Sequence, residues 1–326
     1  MSLQVFINIC YNSNASFFFF KVGMQDSPVY LRTKENGRLD KKIEELTSYL
    51  NPCVLCPRQC KANRAVGELG FCKAPYNLYV SSAFPHFGEE SPLVGIHGSG
   101  TIFLSHCNLK CIFCQNYDIS IYGDGHLCSI DQLAAIMIEL QARGCHNINF
   151  VTPTHYVPHL IKVLSIAINM GLSIPIVYNC GGYESLEIIR LLDGIVDIYM
   201  PDIKFLDPEL SKRLCRAEDY PDIVKSVIKE MQRQVGNLII NTGGIATRGL
   251  LIRHLVMPSC REDTKHVLRF IKEEISRDAF VNIMAQYHPY NGAEDYPEIA
   301  RRISNKEYGE ALDYARELGL TRSANH

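Results

Sequence analysis

Between residues 101 and 285, short β-branched apolar runs alternate with longer segments of helical periodicity. That alternation restricts the chain to an α/β architecture. The expected strands cover 101–105, 148–151, 174–178, 195–200, 250–257 and 280–285. The expected helices between them cover 130–142, 157–170, 184–192, 222–235 and 263–275. Such repeats build a parallel sheet with right-handed crossovers. Six strands in this order predict an open, partial (β/α)6 barrel, with a doubly wound open sheet as the structural alternative. A hydrophobic fraction of 47% in 326 residues supplies the core such a fold needs. A formal net charge of −2 excludes a polycation built for nucleic acid. No segment is apolar enough to span a bilayer, so no membrane partner is expected.

The flanks read differently. Residues 1–50 form an N-terminal extension and a short amphipathic helix over 38–50, with Leu39, Ile43, Leu46 and Leu50 at helical spacing. The extension contains Phe17 to Phe20, but it lacks a basic start, and Asn12, Ser13 and Asn14 interrupt it. It is a poor signal peptide. Asn51-Pro52 is a turn signal that opens a cysteine-rich module over 51–80. The barrel is expected over 95–290, and one or two closing helices over 291–326.

Of the 13 cysteines, seven fall in two tight groups. Clustered cysteines in a long chain read as metal ligands in a reducing cytoplasm, not as a disulfide scaffold. The first group, Cys53-Val54-Leu55-Cys56-Pro57-Arg58-Gln59-Cys60 with Cys72, offers four thiolates. Four ligands close a coordination shell, and either structural zinc or an auxiliary iron–sulfur cluster satisfies the set. The second group, Cys107-Asn108-Leu109-Lys110-Cys111-Ile112-Phe113-Cys114, offers three. A cubane held by three thiolates keeps one iron open for a ligand.

That triplet, with the aromatic Phe113 before its last cysteine, resembles the cluster loop of the radical S-adenosylmethionine (SAM) superfamily. The resemblance implies a [4Fe–4S] cluster on Cys107, Cys111 and Cys114, with SAM chelated at the open iron. It implies reductive cleavage of SAM to a 5′-deoxyadenosyl radical that abstracts hydrogen. It also implies a partial (β/α)6 barrel of the radical SAM type, here carrying a small N-terminal four-cysteine module.

Barrel chemistry sits where strands end, and those ends carry polar groups. They read Thr152-Pro153-Thr154-His155, Asn179-Cys180-Gly181-Gly182-Tyr183, Pro201-Asp202-Ile203-Lys204, Pro258-Ser259 and Gln286-Tyr287-His288-Pro289. Over roughly residues 50–320 the chain resembles relatives of the pyruvate formate-lyase activating enzyme. That resemblance implies SAM contacts from Asp202 and Lys204 and an adenosine contact from His288. It also matches the strand from Arg253 to Pro258. Where those enzymes have Gly-Gly-Glu-Pro to bind the SAM ammonium, this chain has Thr152-Pro153-Thr154-His155. Threonine hydroxyls and backbone carbonyls can accept from an ammonium instead. Asn179 is a candidate partner for a ribose hydroxyl. His155 is read as a helix cap or pocket wall before a catalytic base. The resemblance further implies a low-potential electron donor and a protein substrate, a glycyl radical enzyme. A non-catalytic metal-binding or redox-sensing protein is the alternative of a different class.

Overall fold

The computed structural model describes residues 27–323, so the expectations for the N-terminal extension around Asn12 to Phe20 lie outside the described residues. The chain opens with α1 (Val29–Glu35) and α2 (Arg38–Ser48). Its strands are β1 (Tyr79–His86), β2 (Ser99–Leu104), β3 (His126–Leu127), β4 (Ile148–Val151), β5 (Ile176–Cys180), β6 (Ile198–Pro201), β7 (Ile239–Ile240), β8 (Ala246–Leu255) and β9 (Phe280–Met284). The remaining helices are α3 (Ser91–Val94), α4 (Tyr117–Ser120), α5 (Ile130–Ala142), α6 (Val157–Asn169), α7 (Leu186–Leu191), α8 (Pro208–Cys215), α9 (Tyr220–Val235), α10 (Arg261–Phe270) and α11 (Asn305–Glu317).

Strands β2, β4, β5, β6, β8 and β9 pair in parallel, in that order. Spatial order therefore follows chain order. A doubly wound sheet would reverse direction at a switch point, so the (β/α)6 expectation stands and its alternative falls. Among the described residues β9 pairs with β8 and not with β1 or β2, which leaves the barrel open.

Three strands escape the alternation. Antiparallel β1 extends the sheet beyond β2, β3 pairs with β1, and β7 pairs with β8. The sequence of β1 contains Pro85, which removes a ladder donor. That proline lies beyond the Tyr79–Val80 stretch that β3 covers. Helix α8 was not expected either, because its polar composition hides its apolar stripe. Asp207 caps it by accepting from the amides of Glu209 and Leu210. Capping boxes start α5 at Ser129 with Gln132, and α11 at Ser304 with Glu307. The tail forms one helix, α11.

Two core clusters follow the period-2 alternation of strand side chains. Ile176, Tyr178, Tyr199, Leu250 and Ile252 join the main core with the helices. Val177, Ile198, Met200 and Leu251 join a smaller core that Leu93 of α3 completes. The same phase continues along β5, β6 and β8 to Asn179, Asp202 and Arg253. The polar residues of the site thus stand at or near the C-terminal ends of strands, in phase with the apolar positions Val177, Met200 and Leu251 that precede them.

Asp197 ties the N-terminal helices to this sheet. It accepts from the amides of Val29 and Ile176 at 2.7 and 2.9 Å. Gly182, after β5, has φ +78°, and a Cβ there would lie 2.5 Å from the Asp202 carbonyl oxygen and 2.8 Å from Val224. Gly182→Ala is expected to lower stability by about 2 kcal/mol. Urea unfolding of the metal-free protein checks this, and an unchanged midpoint would remove the close-approach argument.

Candidate active site

The cluster loop follows β2 at its C-terminal end. His106 and Lys110 hold left-handed backbone conformations at φ +75° and +61°. Thr152, at the end of β4, does so at φ +59°, which is unfavourable for a β-branched residue. The Thr152 amide donates to the Asn179 carbonyl at 2.8 Å. These departures gather around one cavity of ≈ 240 Å³, at the mouth of the barrel.

Cys107, Cys111 and Cys114 line that cavity together with Thr152, Asn179, Asp202, Lys204 and Arg253. Residues far apart in sequence therefore converge on one cavity. Burial first, then the neighbouring Cys111, pushes the Cys107 thiol up to about 12. Burial likewise raises Cys114. A hydrogen bond to Cys215, 3.4 Å away, is the first cause of the rise at Cys111, and burial the second. Bound iron would reverse this preference, because a metal stabilises the thiolate.

Asp202 is the electrostatic centre. Arg253 Nε donates to its Oδ1 at 2.8 Å, and Lys204 Nζ to its Oδ2 at 2.9 Å. Burial opposes ionisation of Asp202, but Arg253 and Lys204 together hold its carboxyl below the ordinary range. Burial similarly opposes the charge on Lys204, yet Asp202 and then Cys111 carry it well above its ordinary value. Arg253 Nη2 also donates to Asn179 Oδ1 at 2.7 Å. The Tyr220 hydroxyl donates to the carbonyls of Gly181 and Asp202 and accepts from the Lys204 amide at 3.0 Å. The strand-end loops are thereby pinned to one another.

Three other residues stand apart from this cavity. Thr154 is buried, and its hydroxyl donates to Glu184 at 2.8 Å. Glu184 also accepts from the Tyr178 hydroxyl, and burial raises its carboxyl to about 7. His155 is buried with Nε2 2.8 Å from the Ser105 carbonyl, and burial lowers it to about 3. His288 stacks on Tyr290 at 4.5 Å and lines an adjoining depression with Gln286 and Tyr308. Phe113 lines the cavity and packs edge-on against Phe205.

The four-cysteine module lies against the cluster loop. Arg58 Nε donates to the Asn108 carbonyl at 3.0 Å, and its guanidinium covers Phe71 and Tyr183. Lys110 Nζ lies 5.3 Å from the Phe71 ring centre. Arg64 reaches the His155 carbonyl at 2.7 Å and the Pro75 carbonyl. Cys53, Cys56 and Cys72 are buried, while Cys60 is exposed. Burial pushes Cys56 up to about 12, and nearby Cys72 and Cys53 add to the rise. Among the described residues all cysteines are free thiols, and no three His, Cys, Asp or Glu side chains are arranged to hold a single metal ion. A cubane places each thiolate on a different iron, so this finding leaves a cluster on the triplet compatible with the geometry.

The sequence profile of the radical SAM superfamily matches residues 101–248. The chain is 36% identical over 291 residues to the uncharacterized protein MJ0674 of Methanocaldococcus jannaschii, covering 86% of this chain and 79% of that one. The chain belongs to the radical SAM superfamily. A second uncharacterized protein of that organism, MJ0808, is 22% identical over 281 residues, covering 78% of each chain. Among solved structures, Streptococcus suis SuiB matches with 14% identity and a TM-score of 0.46, covering 70% of this chain and 46% of that one. Native anSMEcpe with bound AdoMet and Cp18Cys peptide matches with 13% identity and a TM-score of 0.45, covering 65% and 56%. The chain thus spans about half the length of those two proteins.

Membership in the radical SAM superfamily implies an enzyme using radical chemistry, a [4Fe–4S] cluster and SAM. The residues present fit that set: three thiols and a partly buried carboxylate–lysine–arginine array face one cavity. Sequence reading quoted Arg253 only as part of a matching strand. Its signal was a charge between Leu251 and Leu255, the apolar residues on the same face of β8. Among the described residues no helix is long and apolar enough to cross a membrane.

Arg253→Ala would leave Asp202 with one cation in a largely dehydrated setting. A stability loss of about 3 kcal/mol at neutral pH is expected. A depressed carboxyl contributes stability above its unfolded pKa and loses it as pH falls through the folded value. The difference between variant and wild type should therefore shrink in acid. Urea unfolding across pH checks this, and a difference that grows toward low pH would contradict it.

Proposed function

We propose that this enzyme reductively cleaves SAM and uses the resulting radical to take a hydrogen atom from its substrate. The observation that carries the proposal is the convergence of Cys107, Cys111 and Cys114 with Asp202 and Lys204 on one cavity. When bound, the cluster and SAM supply the electron transfer and the 5′-deoxyadenosyl radical. The chain supplies placement and shielding. Cys107, Cys111 and Cys114 would hold the cluster. Lys204 provides positive charge for the SAM carboxylate. Both oxygens of Asp202 are engaged, so its role is to orient Lys204 and Arg253. Thr152 offers acceptors for the SAM ammonium in place of a glutamate. Leu109, Phe113, Leu255 and Met257 form the apolar wall that keeps water from the reacting centre.

In this reading Cys53, Cys56, Cys60 and Cys72 would hold a second metal centre; one thiolate per iron of an iron–sulfur cluster agrees with their placement better than one zinc ion, for which no three of these thiols are arranged. The contact of Arg58 with Asn108 supports a centre placed beside the cluster loop. The resemblance to the activating enzymes supports a glycyl radical enzyme as substrate and a low-potential electron donor as partner.

Anaerobically reconstituted, reduced protein is expected to release 5′-deoxyadenosine from SAM. Cys107→Ala, Cys111→Ala and Cys114→Ala should each abolish the release, and undiminished release in these variants would falsify the assignment. Lys204→Ala should weaken SAM binding roughly tenfold while the cluster absorption remains. In a variant lacking all three triplet cysteines, metal analysis should still find iron or zinc. Folded protein free of both would defeat the second centre.

A further inference from the structure

The open side of the barrel contains a groove outside the cavity to which SAM is assigned. One wall is the segment from Phe87 to Ser91, which follows β1. The other is Asn282 to Gln286, on β9 and just beyond it. Arg253, Gln115, Met284 and Gln286 line both this groove and the cluster cavity, so the two spaces adjoin.

Two adjacent carboxylates face this groove. Glu90 is only 6% exposed, and the Glu89 side chain only 8%. Glu90 Oε1 accepts from Asn282 Nδ2 at 2.9 Å, but Glu90 Oε2 is buried without a hydrogen-bond partner. Arg253 forms long ion pairs with both but donates a hydrogen bond to neither. Its Nη1 stays 3.8 Å from Glu89 and 3.9 Å from Glu90, because its Nε and Nη2 are committed to Asp202 and Asn179. His86 Nδ1 lies 3.4 Å from Glu89 Oε1 and leaves Glu90 untouched. Three carboxylates, Glu89, Glu90 and Asp202, thus share two committed cations, Arg253 and Lys204. A buried carboxylate oxygen with no donor is costly, and its natural complement is a positively charged nitrogen.

We propose that this groove binds the cationic head of the substrate, an ammonium on an apolar stem, with Glu90 and Glu89 as its acceptors. Phe87 is 62% exposed and lines the groove with Met284, which gives the stem an apolar surface. The head group then lies beside Arg253, and the stem extends toward the cavity where hydrogen abstraction occurs. The assignment of substrate class rests on the radical SAM reading, whereas the cation site itself is read at equilibrium.

The test is anaerobic titration calorimetry of the cluster-reconstituted protein without reductant, run both without SAM and with saturating SAM. The probes are n-butylammonium, butyrate and a blocked tripeptide with a central lysine. The ammonium probe should bind and butyrate should not. Glu90→Gln and Glu89→Gln should each weaken ammonium binding roughly tenfold. Tighter binding of the tripeptide would assign the head group to a lysine side chain of a protein substrate; equal binding would assign it to a small amine and remove the glycyl radical enzyme as substrate. The proposal is overturned if wild-type protein does not prefer ammonium to butyrate, if both variants bind as wild type does, or if saturating SAM abolishes the binding. The last result would show that the site belongs to the SAM ammonium. Failure of SAM cleavage leaves this titration interpretable, and failure of the titration leaves the cleavage assay standing.

Discussion

Asp202 is the residue on which the site depends. It stands at the end of β6, bridged in parallel to Arg253 of β8. One oxygen takes Arg253 and the other Lys204. Isolated, each charge would resist burial. Together they form a connected array that fixes the mouth of the barrel. Arg253 carries the array on to Asn179 of β5, so three neighbouring strands end in one network. The cluster loop is placed against this network, and the cavity between them is where the radical chemistry is assigned.

A second consequence concerns direction. Arg253 lies between the cluster cavity and the open groove, and its three nitrogens divide between Asp202, Asn179 and the neighbourhood of Glu89 and Glu90. The side of the barrel left open, where among the described residues β9 pairs with no strand besides β8, is therefore not a neutral gap. It has an acidic floor, an exposed aromatic and an unsatisfied acceptor. The four-cysteine module contacts the opposite flank of the cluster loop, through Arg58 on Asn108 and Arg64 on the end of β4.

The alternation of strand and helix was legible because each parallel strand is buried on both faces and reads as a continuous apolar run. Strands β4 and β9, and helices α5 and α6, fall within about a residue of the expected positions. Strands β1, β3 and β7 were not legible: they are short or carry proline and polar residues, and β1 and β7 bury only a few side chains, such as Val80 and, in part, Ile240. In the site, Asp202 and Lys204 stood out as charges after an apolar strand. Thr154 and His155 looked equivalent to Thr152 in sequence. The left-handed turn at Thr152 sends the following short helix inward, and there Thr154 and His155 make buried structural hydrogen bonds instead of lining the cavity. Glu89 and Glu90 gave no signal, since their importance arises from the distant β9 strand folding beside them.

The central claim is that SAM binds directly to a cluster held by the Cys107–Cys114 loop. The electron paramagnetic resonance spectrum of the reduced, reconstituted protein, recorded before and after addition of SAM, tests it most directly. The account predicts a [4Fe–4S] signal whose shape changes with SAM, and loss of that SAM-sensitive signal in Cys111→Ala. A cluster signal indifferent to SAM, or a SAM-sensitive signal that survives Cys111→Ala, would contradict it.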